Sequence, residues 1–181
     1  MNSNQEVIYW APYSRGRSQF YLSASERGLC CITLPNESFI RLERQIIKRY
    51  PRARMVRSDD RLASYIRELD EYFHGIRTRF ESPLDPGGTP FQQQVWNELR
   101  QIPYGQTRSY SELADAVRRP KAVRAVGAAN ANNPLPIFVP CHRVIGKNAK
   151  LVGYRGGIDL KSELLELERQ TNGIRTSIRA E

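Results

Sequence analysis

The sequence is poor in the side chains that crosslink chains or hold metals, with three cysteines and two histidines in 181 residues. Two of the cysteines, Cys30 and Cys31, are neighbours. Three thiols so placed give no disulfide framework, and their spacing does not suit a zinc site. With His74 and His142 as the whole histidine complement, no metal site is assigned. No run approaches the ~18 apolar residues that cross a bilayer. The N-terminus lacks the basic-then-apolar order of a secretory signal, so a cytoplasmic location away from membranes is expected. Internal repeats and low-complexity tracts are absent as well. What remains is an ordinary globular composition, 40% apolar and 26% charged, in a length that suits one large domain or two small ones.

Acidic residues are also in short supply, 19 against 28 basic, for a net charge of +9. The excess is concentrated. Between Arg100 and Lys161, eleven Lys and Arg face only Glu112, Asp115 and Asp159, which is +8 of the +9. A focused basic region is the electrostatic footprint of a polyanion, although basic surfaces without nucleic-acid partners are also common.

The first half reads as a small α/β unit with a short antiparallel sheet. Val7–Trp10, Gln19–Leu22 and Leu29–Leu34 have strand composition and are separated by turn residues. Helices are expected over Glu37–Tyr50 and Arg61–His74, the second capped by Asp59 or Asp60. Cys30 and Cys31 are expected to pack within a strand, and nothing in this half suggests catalysis. The run from Ser82 to Pro90 is dense in proline and glycine and reads as a linker. The expected domains are therefore residues 1–85 and 86–181, the second ending in a polar C-terminal tail.

Thr89-Pro90-Phe91-Gln92 combines a capping box with proline in the first turn, and Phe91, Val95, Leu99 and Ile102 form the apolar stripe of that helix. Ser109-Tyr110-Ser111-Glu112 is a second capping box. The helix it opens, the turn Arg118-Arg119-Pro120 and a helix from Lys121 to Ala131 make a helix-turn-helix, and the second half reads as a mostly helical, winged helix-turn-helix-like domain. The overall class is α+β. The second helix is nearly bare: Val123 and Val126 can face the core, while Ala122, Ala125, Gly127, Ala128, Ala129 and Ala131 carry little side chain. Arg124 is its one long residue. Such a helix suits close approach to a narrow minor groove, and it equally suits plain packing.

Pro136-Ile137-Phe138-Val139-Pro140-Cys141-His142-Arg143-Val144 places a cysteine and a histidine at the exit of an apolar run that reads as a buried strand. A thiol reacts as its thiolate and needs a base or positive surroundings. Taken alone, such a pair is more often a buried structural cysteine beside a chance histidine. The last helix supplies a third member. Asp159 is its expected cap, and Leu160, Leu164, Leu165 and Leu167 define a buried arc that contains Glu168 but leaves Glu163 and Glu166 solvated. A buried carboxylate needs a partner, and His142 is a candidate, with fraying that exposes Glu168 as the alternative. Neighbouring side chains on an extended backbone diverge, which favours a bridging water between Cys141 and His142. A thiol hydrolase and a plain DNA-binding regulator are rival readings of this set.

Residues from about Thr89 to Glu168 resemble the C-terminal domain of the O6-alkylguanine-DNA alkyltransferases. The resemblance is carried by Ile102-Pro103-Tyr104-Gly105, by Arg119 through Gly127, and by Asn133 through Val144. It implies a DNA-repair protein that transfers an alkyl group once and irreversibly from O6-alkylguanine, and from O4-alkylthymine, in duplex DNA to Cys141. It further implies that His142 takes the thiol proton, that Glu168 orients the imidazole, that Tyr110 hydrogen-bonds N3 of the leaving guanine and promotes rotation of its phosphate, and that Asn133 braces the turn before the cysteine. Arg124 would replace the flipped nucleotide, with Ala125, Ala129, Lys121 and Arg119 beside it on the DNA-binding face. Val144, Tyr154, Arg155 and Pro136 would line the base pocket. Arg155 stands where a small hydroxyl residue occurs in some members; the contact implied there is a backbone N–H. No cofactor is needed, and a monomer in solution, able to associate cooperatively on DNA, is expected.

Overall fold

The computed structural model describes residues 6–179, the side chains of 148 and 174–179 apart. Strands β1 (Val7–Arg15) and β2 (Ser18–Ser25) form a hairpin in register from Tyr9 opposite Ala24 to Arg15 opposite Ser18, and β3 (Gly28–Ile32) pairs antiparallel with β2. Helix α1 (Phe39–Arg49) follows Ser38, then comes β4 (Arg54–Arg57), which lies parallel to β1 at the sheet edge. The sheet is thus mixed, in the order β3-β2-β1-β4. Helix α2 (Asp59–Phe73) is capped by the Ser58 hydroxyl, which accepts from the Arg61 N–H; Asp59 and Asp60, expected as caps, sit in its first turn. There their charges complement the helix dipole.

The two helices cover opposite faces of the sheet. Leu42 and Ile46 of α1 pack with Ile8, Cys30, Cys31 and Tyr50, while Leu62, Leu69, Tyr72 and Phe73 of α2 join Phe20, Leu22 and Leu29 in the larger core. Coverage of both faces explains why all five residues of β3 are buried, where a one-sided strand would alternate.

The proline-glycine stretch expected as a linker is pinned. The Leu29 N–H donates to the Pro83 carbonyl at 2.9 Å, and the Asp85 N–H to Leu29 O at 2.7 Å. The Asp85 carboxylate accepts from Tyr50 and Ser25, each at 2.9 Å, and pairs with Arg27 and Arg49.

Helix α3 (Pro90–Arg100) carries the complete Thr89–Gln92 capping box and buries Val95, Trp96 and Leu99. After β5 (Arg108–Ser109), helix α4 (Tyr110–Ala116) opens on the complete Ser109–Glu112 box. Arg118 turns the chain with φ of 57°, and α5 (Val123–Ala131) follows. Val126 is buried in the core, but Val123, expected to join it, is 36% exposed. Strand β6 (Val144–Ile145) pairs parallel with β5, and Leu151–Tyr154 forms no strand. Helix α6 (Ile158–Arg179) takes Asp159 into its first turn, and the expected polar tail is helical as far as Arg179. The larger core runs without a break from α2 and the sheet through α3, α4 and α5 to Leu164 of α6. Among the described residues no helix is long and apolar enough to cross a membrane.

Candidate active site

Cys141 is held by a loop folded back on itself. The Asn133 amide donates to Val139 O at 2.8 Å while its oxygen accepts from the Leu135 N–H at 2.9 Å, so one side chain pinches both ends of the intervening segment. Within that pinch Ile137 sits at φ of 76° and is fully buried. A β-branched residue in the left-handed region costs about 1–3 kcal/mol and persists only where its surroundings impose it. The segment expected as a strand is therefore a strained turn with a single bridge between Pro136 and Val139. Cys141, His142 and Arg143 form one 3-10 turn, all three buried. The physical reason is the Asn133 clamp, a tertiary feature that composition does not announce.

Burial raises the Cys141 pKa above its usual 9.0, against the lowering effects of the Asn133 hydrogen bond and of the Arg155 and Lys161 charges. The resting sulfur is therefore a thiol, and a base is required to ionise it. His142 is fully buried beside it. Burial lowers its pKa below 6.5, overcoming the opposing pull of Glu168, so the resting imidazole is neutral. Its Nε2 lies 2.7 Å from Glu168 Oε1, which fixes the tautomer with the proton on Nε2. Nδ1 is buried with no hydrogen-bond partner among the described residues. It is the free lone pair of the site.

Glu168 belongs to the buried arc expected for α6 and is 0% exposed. Burial alone would raise its pKa, but His142 and Arg143 outweigh that and hold it at about 2. The Arg143 guanidinium reaches Oε2 through Nε at 2.9 Å and Oε1 through Nη2 at 2.9 Å. Arg143 Nη1 donates to Ile102 O at 2.6 Å, and the Gly105 N–H donates to Oε2 at 2.9 Å. Gly105 adopts φ of 75°, a conformation glycine enters without penalty. The Ile102–Gly105 motif is thus the floor of the carboxylate site.

Sequence reasoning missed three members of this cluster. Arg143 entered only as a unit of charge. Lys161 is fully buried and donates to the Val144 and Val152 carbonyls at 2.6 and 2.8 Å; its place one and two turns before Leu164 and Glu168 on the same arc was a readable signal. Tyr72 comes from α2 and places its hydroxyl 2.7 Å from Glu168 Oε1; in the sequence it falls at helical spacing with Leu62, Tyr65 and Leu69, a pattern that marks a core residue and no more.

Tyr110, at the start of α4, lies against Gly127 of α5, where an added Cβ would meet its ring at 3.8 Å. Burial raises its pKa, as does the charge of Cys141, while the Asn130 hydrogen bond lowers it, so the hydroxyl remains protonated. Tyr154 is pushed up by the same two influences, burial first and then Cys141. Pro136 and Val144 are buried as well. Arg155 makes side-chain contacts as well as offering its backbone: its guanidinium donates to Asn133 O at 2.9 Å and to Ile32 O at 3.2 Å, and it pairs with Glu37 at 3.1 Å. Arg124, Ala125, Lys121 and Arg119 are exposed on or just before α5, with the Arg119 guanidinium 5.8 Å from the Phe91 ring. Ala129 departs from expectation. It is 3% exposed and packs inward, its carbonyl accepting from Trp96 Nε1 at 2.8 Å. The helix keeps its back to the core at that position, so the Ala129 side chain is not on the exposed face.

A buried thiol with a neutral histidine and an anchored carboxylate, in the same half of the chain as an exposed and nearly bare helix of a helix-turn-helix, defines the class: a cysteine-dependent group-transfer protein. Comparison with known proteins makes this specific. Residues 90–170 match the DNA binding domain of 6-O-methylguanine DNA methyltransferase, and residues 8–86 match its ribonuclease-like domain. The inducible methylated-DNA–protein-cysteine methyltransferase of Bacillus subtilis is 44% identical over 95% of this chain and 96% of its own. The crystal structure of Mycobacterium tuberculosis O6-methylguanine methyltransferase superposes with a TM-score of 0.78 at 37% identity, covering 91% of this chain and 94% of that one. The structure of the Mycobacterium tuberculosis protein in complex with DNA gives 0.76 at 37% identity, over 90% and 94% of the two chains. The chain belongs to the 6-O-methylguanine DNA methyltransferase family.

Proposed function

We propose that this protein repairs DNA by moving the alkyl group of O6-alkylguanine, and of O4-alkylthymine, from a flipped nucleotide in the duplex onto Cys141, once per molecule. The observation that carries this reading is the pairing of a protonated, buried Cys141 with a neutral His142 whose Nε2 is committed to Glu168 and whose Nδ1 is free. The thiol proton passes through a bridging water to Nδ1. The sulfur attacks the alkyl carbon in line, the S–C bond forms as the C–O6 bond breaks, and the guanine leaves with the O6 electron pair. The Tyr110 hydroxyl disperses that charge at N3, and the proton held by His142 ends on N1 of the guanine. The thioether product does not hydrolyse under mild conditions, so Cys141 is consumed.

Extrusion of the base is required because its O6 cannot be reached in line within the stack, and a damaged pair costs less to open. Arg124 fits the role of filling the gap: it is exposed among Ala125, Ala128 and Gly127, which let the helix approach the minor groove. Lys121 and Arg119 suit phosphate contacts, and Tyr154, Val144, Pro136 and the backbone of Arg155 suit the base. Asn133 holds the loop that aims the sulfur. We place the division between the two units at residues 85 and 86, assign no cofactor or metal to the chemistry above, and expect a monomer in the cytoplasm. Quantifying methyl groups moved from excess methylated duplex tests the reading: transfer should stop at one per protein, and continued turnover would contradict it.

A further inference from the structure

We propose that Tyr72, contributed by the N-terminal half, is a positioning residue for alkyl transfer, its hydroxyl sharing Glu168 Oε1 with His142 and so setting how firmly Glu168 holds the imidazole proton. This inference rests on the function proposed above. Tyr72 is 0% exposed, and its hydroxyl is 2.7 Å from Glu168 Oε1 and 3.4 Å from His142 Nε2. Oε1 therefore receives Tyr72, His142 Nε2 and Arg143 Nη2 together. Arg143 Nε reaches the same oxygen at 3.2 Å, and since a carboxylate oxygen has about two lone-pair sites, four donor groups from three residues compete for them. Each weakens what the oxygen offers the others.

The phenol can only donate here. Burial holds its pKa well above 10.0, reinforced by the Glu168 charge, so it keeps its proton while Glu168 stays ionised. Its place is fixed by rings on three sides, with centroids of Phe73 and Phe80 each at 5.5 Å and Tyr104 at 6.0 Å. A residue that served only to fill this core would need no hydroxyl. Phenylalanine would pack as well and leave no polar group to satisfy.

The charged and titratable groups facing His142 are Cys141 and Arg143 on its own turn, Glu168 and Lys161 on α6, and Tyr72 on α2. Tyr72 is the one that comes from the N-terminal half. Removing its hydroxyl concentrates the charge of Oε1 on the His142 N–H, which stabilises the imidazolium. The base is then lost to protonation at a higher pH.

The test is the pH profile of single-turnover methyl transfer to Cys141, taken over about pH 5–8, where histidine titrates. Tyr72→Phe should move the acid midpoint up by roughly half a unit or more, with DNA affinity unchanged. Replacing Tyr72 with 3-fluorotyrosine, a stronger donor of nearly the same shape, should move it down. The ring-nitrogen shifts of His142 in the free protein should report the same displacements, which separates them from any loss of stability. A midpoint that neither replacement moves overturns the role of Tyr72, whatever happens to the rate or the melting temperature. Wild-type protein that transfers no methyl to Cys141 would instead defeat the function proposed above, so the two failures are distinct.

Discussion

Replacing Glu168 by glutamine should cost the protein stability and chemistry through different contacts. The carboxylate accepts from His142, Tyr72, Gly105 and both Nε and Nη2 of Arg143, so all of its surroundings are donors. A glutamine amide must turn its NH2 toward one side of that cage. If it faces the Oε2 side it opposes the Gly105 N–H and Arg143 Nε; if it faces the Oε1 side it opposes His142 and Arg143 Nη2. Arg143 is meanwhile left buried, 7% exposed in its side chain, without a counter-charge. Removing one partner of a buried pair costs about 3–5 kcal/mol. In a chain of this size each kcal/mol moves Tm by roughly 2–4 °C, so a fall of roughly 6–20 °C is expected at neutral pH. The gap from wild type should stay wide at a pH near the ordinary glutamate value of 4.5, because Glu168 is held ionised down to about 2. Transfer should slow by ~10² or more, the contribution of an oriented general base. Replacing Glu168 and Arg143 together by methionine should recover much of the Tm and none of the transfer rate. A Glu168→Gln protein that melts within about 2 °C of wild type, a shift expected of less than 1 kcal/mol, and transfers at the wild-type rate would refute the reasoning.

Other perturbations separate the parts of the site. Arg124→Ala should slow repair of duplex DNA at least tenfold, on the order of 1.4 kcal/mol of the extrusion cost, while leaving reaction with free O6-benzylguanine base intact; equal losses on both substrates would remove Arg124 from the flipping step. Arg155→Ser should destabilise the fold by about 1.5–3 kcal/mol in chemical denaturation, since it releases the charged hydrogen bonds to Ile32 and Asn133 that tie the sheet to the cysteine loop; an unchanged midpoint would show that those bonds carry no load. Stability should fall as pH drops below about 6.5: the unfolded chain protonates His142 at its ordinary value while the folded, depressed imidazole does not. His142→Gln should flatten that limb of the curve, and an unaltered limb would contradict the buried neutral histidine.

Local chemistry made some of this architecture readable in the sequence. Two capping boxes located α3 and α4, because a cap is a contact among residues three apart. Glu168 was found from helical periodicity alone, since its arc on α6 is set by its own neighbours. What stayed hidden depends on distant packing. Strand β4 is four residues long, half exposed and paired in parallel with a strand nearly fifty residues earlier, so neither alternation nor a hairpin turn marks it. The turn at Cys141 looked extended because Asn133, which imposes it, acts across the loop. Val123 and Ala129 exchanged their expected environments because docking of α5 on Trp96, not apolarity, decides which side is covered. Tyr72 carried no mark in sequence, and only the packing of α2 beside α6 brings it to the carboxylate.

The most direct measurement is to react the protein with duplex DNA containing O6-methylguanine, digest it, and map added mass by tandem mass spectrometry. One methyl group on the peptide holding Cys141, with Cys30 and Cys31 unmodified and the guanine restored, is the expected result. An unmodified Cys141 in protein that has restored the guanine, or a lesion left intact by folded protein, would contradict the assignment of Cys141 as the alkyl acceptor.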